Sequence, residues 1–162
     1  MAIRYLKIVL VVLVGVQGLL YVAGNIANWS VGIQTVRYVL GMEGHEVYGN
    51  HIFPTVTHPA LITIAFIIIL AGEFLVGALC LIGAWHLWRM REESAGLFNS
   101  AKTYAILGAG TAMVVWFGGF IVIGGSLFQM WQTQIGAGSF DDSFVFAVIG
   151  GLVLIIVSRP DD

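Results

Sequence analysis

The sequence predicts an all-α membrane protein: a four-transmembrane-helix bundle with a long first outside loop carrying a short interfacial helix. Three observations carry that prediction. Of 162 residues, 59% are hydrophobic and 10% charged. A soluble domain carries roughly 25% charged residues, so the polar groups here are too few to cover a water-facing surface. Apolar runs at about residues 4–27, 60–88, 102–128 and 141–157 match the length needed to cross a bilayer, the last being short. Finally, Arg4, Lys7, Arg89, Arg91, Lys102 and Arg159 fall on one side of four crossings and Arg37 alone on the other. That asymmetry predicts cytoplasmic N- and C-termini in a bacterial inner membrane.

The chain, residues 1–162, reads as a single integral membrane domain. Arg4 and Lys7 before an apolar run imitate a secretory leader. The run from Ile8 to Ala23 exceeds the usual ~7–15-residue leader core and contains Gln17, so it is read as an uncleaved first span. Gly15 and Gly18 give that span a packing face, because small residues let helices approach closely in lipid. Tyr5 and Trp29 bracket it as interfacial anchors. In the outside loop, Val31, Thr35, Tyr38 and Val39 recur at helical spacing, which predicts a short amphipathic helix on the membrane surface. Gly41, Gly44, Gly49 and Pro54 then break regular structure. Thr57 or His58 followed by Pro59 suits the start of helix 2, which ends in the aromatic and basic girdle of Trp85, His86, Trp88, Arg89 and Arg91. Helix 3 carries a strip of small residues, Ala101, Ala105, Gly108, Ala109 and Ala112, that predicts close packing against a neighbour. The third connection, residues 129–142, contains the turn-prone Gly136-Ala137-Gly138-Ser139. Helix 4 is short, so it stands nearly upright or begins before Asp142.

One acid lies inside a span. Glu73 is ~20 Å along helix 2 at ~1.5 Å per residue, near the bilayer midplane, where a carboxylate costs at least ~2.5–3.5 kcal/mol. It must face protein or a water-filled cavity, and Gln17 on helix 1 and Thr111 on helix 3 are its candidate partners by depth. The leading reading is structural, a buried, protonated acid that hydrogen-bonds across helices and fixes their register. The alternatives are contact with a partner or lipid, and a proton or ion pathway; helix 4 offers no obvious polar group at that depth. His45, His51 and His58, near Glu43 and Glu46, are a weak candidate metal set, because their spacing matches no metal motif. Solvated loop histidines are the ordinary explanation. His58 and His86 sit at opposite ends of helix 2 and no histidine lies in the interior of a span, so no haem and no other cofactor is expected. The lone Cys80 has no resolving partner for thiol exchange. No nucleophile elbow, phosphate loop or basic nucleic-acid surface is present.

Several ordered segments resemble a known family. They are Arg4–Ile8, Tyr38–Glu43, the His58-Pro59-Ala60 opening of helix 2, Glu73 with Leu79–Trp88, Phe98–Thr103, Trp116–Phe120, Ile123–Gly125 and Met130–Gln132. Together they resemble the bacterial predicted small integral membrane proteins, a domain-of-unknown-function family. The resemblance covers nearly the whole chain and implies a four-helix inner-membrane protein with no established activity to inherit. It also implies an acid and a tryptophan after the Ile-Gly-Gly motif, and a Trp-Asn-Gly element in the third connection. This chain has Ser126-Leu127 and Gly136-Ala137-Gly138 there, so any role of that outer acid is lost or relocated.

The function expected from the sequence is a non-enzymatic accessory or scaffold subunit of a larger inner-membrane complex. Its partners would be the lipid bilayer and other membrane subunits or further copies of itself, with no nucleic acid. The alternatives are a small transporter or proton/ion-conducting protein using Glu73, and an outside-facing metal or ligand binder using the loop histidines.

Overall fold

In hydrocarbon a spanning segment must satisfy its own backbone N–H and C=O groups, so apolar runs of this length wind into helices. The computed structural model describes all 162 residues. Helix α1 spans Ala2–Ala27, α2 Trp29–Leu40, α3 Pro59–Arg89, α4 Ala95–Ser100, α5 Thr103–Met113 and α6 Gln134–Ser158. Helix α5 runs on into a π-helical segment, Val114–Leu127, whose wider winding ends with the Phe128 N–H donating to the carbonyl of Ile123. Four units are long and apolar enough to span a membrane: Ala2–Ala27, Pro59–Arg89, Ala95–Leu127 and Gln134–Ser158.

One expectation is corrected, and one left open is resolved. The third span is not one helix over 102–128. It begins at Ala95, turns at Ala101-Lys102, resumes as α5 and then widens. The early start follows from Phe98, which is fully buried with the Arg4 guanidinium 4.7 Å from its ring centre. The fourth span begins at Gln134, seven residues before the apolar run. Thr133 caps it, its Oγ1 accepting from the Gly136 N–H at 3.1 Å. Gly136 lies against the carbonyl of Met130, where a side chain has no room. The glycine-rich stretch that resembles a turn is therefore a helix N-terminus. At the start of α3, Pro59 occupies the first turn and His58 Nδ1 accepts from the Ala60 N–H. Helix α2 forms where helical spacing predicts it, separated from α1 only by Asn28. Its Gly32 meets the Phe66 ring, and Trp29 packs edge-on to Phe66 at 5.1 Å.

Small residues bring the spans together. A Cβ on Gly18 of α1 would stand 2.8 Å from the Glu73 carbonyl oxygen on α3. Gly83 of α3 abuts the Ala105 backbone, Gly108 of α5 abuts Cys80, and Gly150 of α6 sits beside Ala112. These strips are thus occupied within the chain. Each of α1, α3, α5 and α6 packs closely on the next in that order, and α6 returns to α1 more loosely. One apolar core links all four spans through Val11, Val14, Val76, Cys80, Leu87, Ala105, Ala109, Val153 and Val157.

The end that bears both termini is closed by charge. Lys7 Nζ donates to Asp161 Oδ2 at 2.6 Å and to the Arg159 carbonyl at 2.8 Å. Lys102 Nζ donates to the same carboxylate oxygen, to the Arg159 carbonyl and to Asn99 Oδ1. Asn99 also receives the Asp161 N–H and donates to the Asp161 carbonyl, both at 3.0 Å. Arg4 donates to the carbonyls of Arg91 and Glu93. Burial pushes the Asp161 carboxyl up, but the hydrogen bonds from Lys102 and Lys7 outweigh it and hold the group below its ordinary value. The tail is thereby tied to α1, to α4 and to the turn between α4 and α5.

Candidate functional site

Glu73 lies midway along α3 and is 1% exposed. Its partner is Asn25, whose Nδ2 donates to Oε2 at 3.0 Å and to Oε1 at 3.3 Å. Gln17 makes no bond to Glu73, and Thr111 donates to the Leu107 carbonyl of its own helix at 2.8 Å. The correction has a geometric cause. Gly18 is level with the Glu73 backbone, but helical side chains lean toward their own N-terminus. In this antiparallel pair Glu73 leans toward the α2 end and Asn25 leans back from it. They meet beyond the level of Gly18, out of reach of Gln17.

The Glu73 carboxylate borders a cavity of about 490 Å³ that extends to the underside of α2. Helix α1 contributes Tyr21, Gly24 and Asn25; the π-helical segment contributes Trp116 and Phe120; α6 contributes Ser139, Asp142, Ser143 and Phe146. Its volume falls within the about 300–1,000 Å³ typical of small-ligand sites. Tyr21, Trp116 and Phe146 form a mutually edge-on set, with ring centres 6.3, 5.1 and 5.5 Å apart. The lining holds two carboxylates, Glu73 and Asp142, and no cationic side chain. Neither carboxylate forms an ion pair. A cleft walled by low-dielectric groups and carrying one sign of charge concentrates counter-ions. Asn28, Val31 and Asp142 are exposed, so the cavity opens at this end. On the other side of Glu73, Val76, Cys80 and Leu87 join the dry core, which closes it.

Sequence reasoning missed the second acid. Asp142 adjoins the start of the fourth apolar run; with α6 starting at Gln134, it is two turns inside the helix. The usable signal was periodicity. Gly18, Tyr21 and Asn25 share one face of α1, as Ser139, Asp142 and Phe146 share one face of α6.

The loop histidines do not converge as a set. His45 and His51 pack edge-on with ring centres 5.8 Å apart, and three of their ring nitrogens are buried without a hydrogen-bond partner. Burial, and next the nearby His51, push the His45 imidazole below its ordinary value. His58 stands apart as the α3 cap. No three His, Cys, Asp or Glu side chains are placed to share one metal ion.

The family model described as predicted small integral membrane protein (DUF2165) matches residues 3–160. No curated protein and no solved structure matches the chain.

Proposed function

The chain belongs to the family of predicted small integral membrane proteins, and on that premise we propose that it is a non-enzymatic cation carrier that uses Glu73. The observation that carries this reading is the cavity whose lining has two carboxylates and no basic side chain. A buried carboxylate beside a void, held by one amide, gains most from a ligand that brings positive charge. The dry core beneath Glu73 favours a carrier that must rearrange over an open pore. The loosely packed α1–α6 seam is the place where the least packing opposes such movement.

The orientation proposed from the sequence, with both termini cytoplasmic in a bacterial inner membrane, draws support from exposed Arg89 and Arg159 at that end. Lys7 and Lys102 lie at the same end, where they share the Asp161 carboxylate. Exposed Trp29 and Val31 on α2 favour a place for that helix at the membrane surface.

Reconstitution tests the carrier reading. In proteoliposomes given inward gradients of Na⁺, K⁺ or tetrapropylammonium, at least one cation should enter faster than in protein-free vesicles. Glu73→Gln should reduce that uptake at least tenfold, on the order of the loss of one buried charge contact. Uptake of every cation at parental rate in the variant would reject the mechanism. The accessory-subunit reading retains one specific observation, that Gly110, Gly118 and Gly119 face open space where another membrane helix can approach. A stoichiometric partner in material purified from native membranes would favour it.

A further inference from the structure

The same cavity carries information about which cation it accepts. A bare inorganic ion must exchange its hydration shell for protein oxygens; Ca²⁺, for example, takes about six to eight. Side-chain oxygens are present in the lining, and some of them are committed. Ser143 Oγ donates to the Ser139 carbonyl at 2.6 Å, and the Glu73 carboxylate already accepts from Asn25. Much of the remaining lining is apolar or aromatic: Tyr21, Phe66, Trp116, Phe120 and Phe146. Aromatic faces attract cations through the ring quadrupole, and most strongly those whose weak hydration makes them easy to strip of water.

We infer that the occupant is an organic ammonium ion, a protonated amine or quaternary ammonium bearing apolar substituents. Its carbon groups lie against Tyr21, Trp116 and Phe146, and its charge lies near Glu73. Asp142, exposed where the cavity opens, draws it in. This inference rests on the cation-binding reading of the cavity and adds the chemical class of the ligand. It accounts for two features together: the cavity carries two acids, and five aromatic rings share its lining.

The test is equilibrium binding to the purified full chain in nanodiscs, followed by tryptophan fluorescence and by radiolabelled tetrapropylammonium, with Na⁺, K⁺ and Ca²⁺ as competitors. Saturable tetrapropylammonium binding is expected, with little displacement by the inorganic ions. Glu73→Gln should weaken it at least tenfold and Asp142→Asn about threefold or more. Trp116→Leu should weaken it about five- to tenfold. Because Asp142 is exposed and forms no ion pair, its variant should fold like the parent and report on the site even where Trp116→Leu is unstable. Tetrapropylammonium binding that is equal in parent, Glu73→Gln and Asp142→Asn would overturn the inference. Glu73-dependent binding of Na⁺, K⁺ or Ca²⁺ without tetrapropylammonium would overturn it and leave the cation reading standing. If neither kind of cation binds through Glu73, both fall.

Discussion

Asp161 and Glu73 are both buried carboxylates, and they keep opposite company. Asp161, 8% exposed, receives two lysine ammonium groups and is pinned on its backbone by Asn99. Glu73, 1% exposed, receives a single amide and faces a cavity. Taking a carboxylate out of water costs several kcal/mol unless a counter-charge and good hydrogen bonds offset it. At Asp161 that offset is built in, so the group can serve as a clamp. At Glu73 it is absent, and the nearest space is large enough for a ligand. The difference separates a charge that holds the fold from an acid available for binding.

The largest expected effect lies at the clamp. Asp161→Asn leaves Lys7 and Lys102 buried with carbonyls and an amide but no carboxylate, which should cost about 3–5 kcal/mol. It would be read as a lowered thermal midpoint in detergent, and a change below about 1 kcal/mol would remove Asp161 from its assigned role. Acid should do the same more gradually. Because the folded-state Asp161 carboxyl titrates below its ordinary value, its stabilisation is fully present above the unfolded value of about 3.9 and is lost as pH falls through the folded value. The parent should therefore hold its midpoint from neutral pH to about 5 and lose it below about 4. Asp161→Asn should lack most of that acid limb, and an unchanged limb would assign it to other groups.

The spans were legible in the sequence because apolar length is nearly sufficient to define them. What joins them was not. Lys7, Lys102 and Asp161 are scattered over almost the whole chain, and no local pattern announces that one carboxylate will bridge two of the lysines used to argue orientation. Gly136-Ala137-Gly138-Ser139 carries turn composition, and only the Thr133 cap and the fit of Gly136 on Met130 show it to be helical. That shift places Asp142 inside the helix and in the cavity lining. Glu73 itself was legible, but its partner was sought by depth alone. Depth pointed to Gln17, while the lean of the two side chains selects Asn25.

Between the clamp and the cavity lies the amide itself. Asn25→Ala removes the only side-chain donor to a buried carboxylate, and should destabilise the chain by about 1–3 kcal/mol, the usual cost of an orphaned buried polar group. Asn25→Asp would place a second acid against Glu73 and should be worse at neutral pH. A midpoint equal to the parent's in both variants would mean that water reaches Glu73 freely and that the cavity is wetter than its lining suggests.

The smallest effect on stability belongs to Glu73→Gln, and the comparison depends most on it. The glutamine keeps the shape of the side chain, and its Oε1 can still accept from Asn25 Nδ2. What disappears is a buried acid with no counter-ion, whose removal is often neutral or stabilising. The thermal midpoint in ligand-free detergent should stay within about 1 kcal/mol of the parent or rise slightly, even as cation binding is lost. If Glu73→Gln instead unfolds the bundle as readily as Asp161→Asn, the two carboxylates do the same work. Glu73 then fixes the register of α1 on α3, and the cavity beside it is only a consequence of how α2 crosses the bundle.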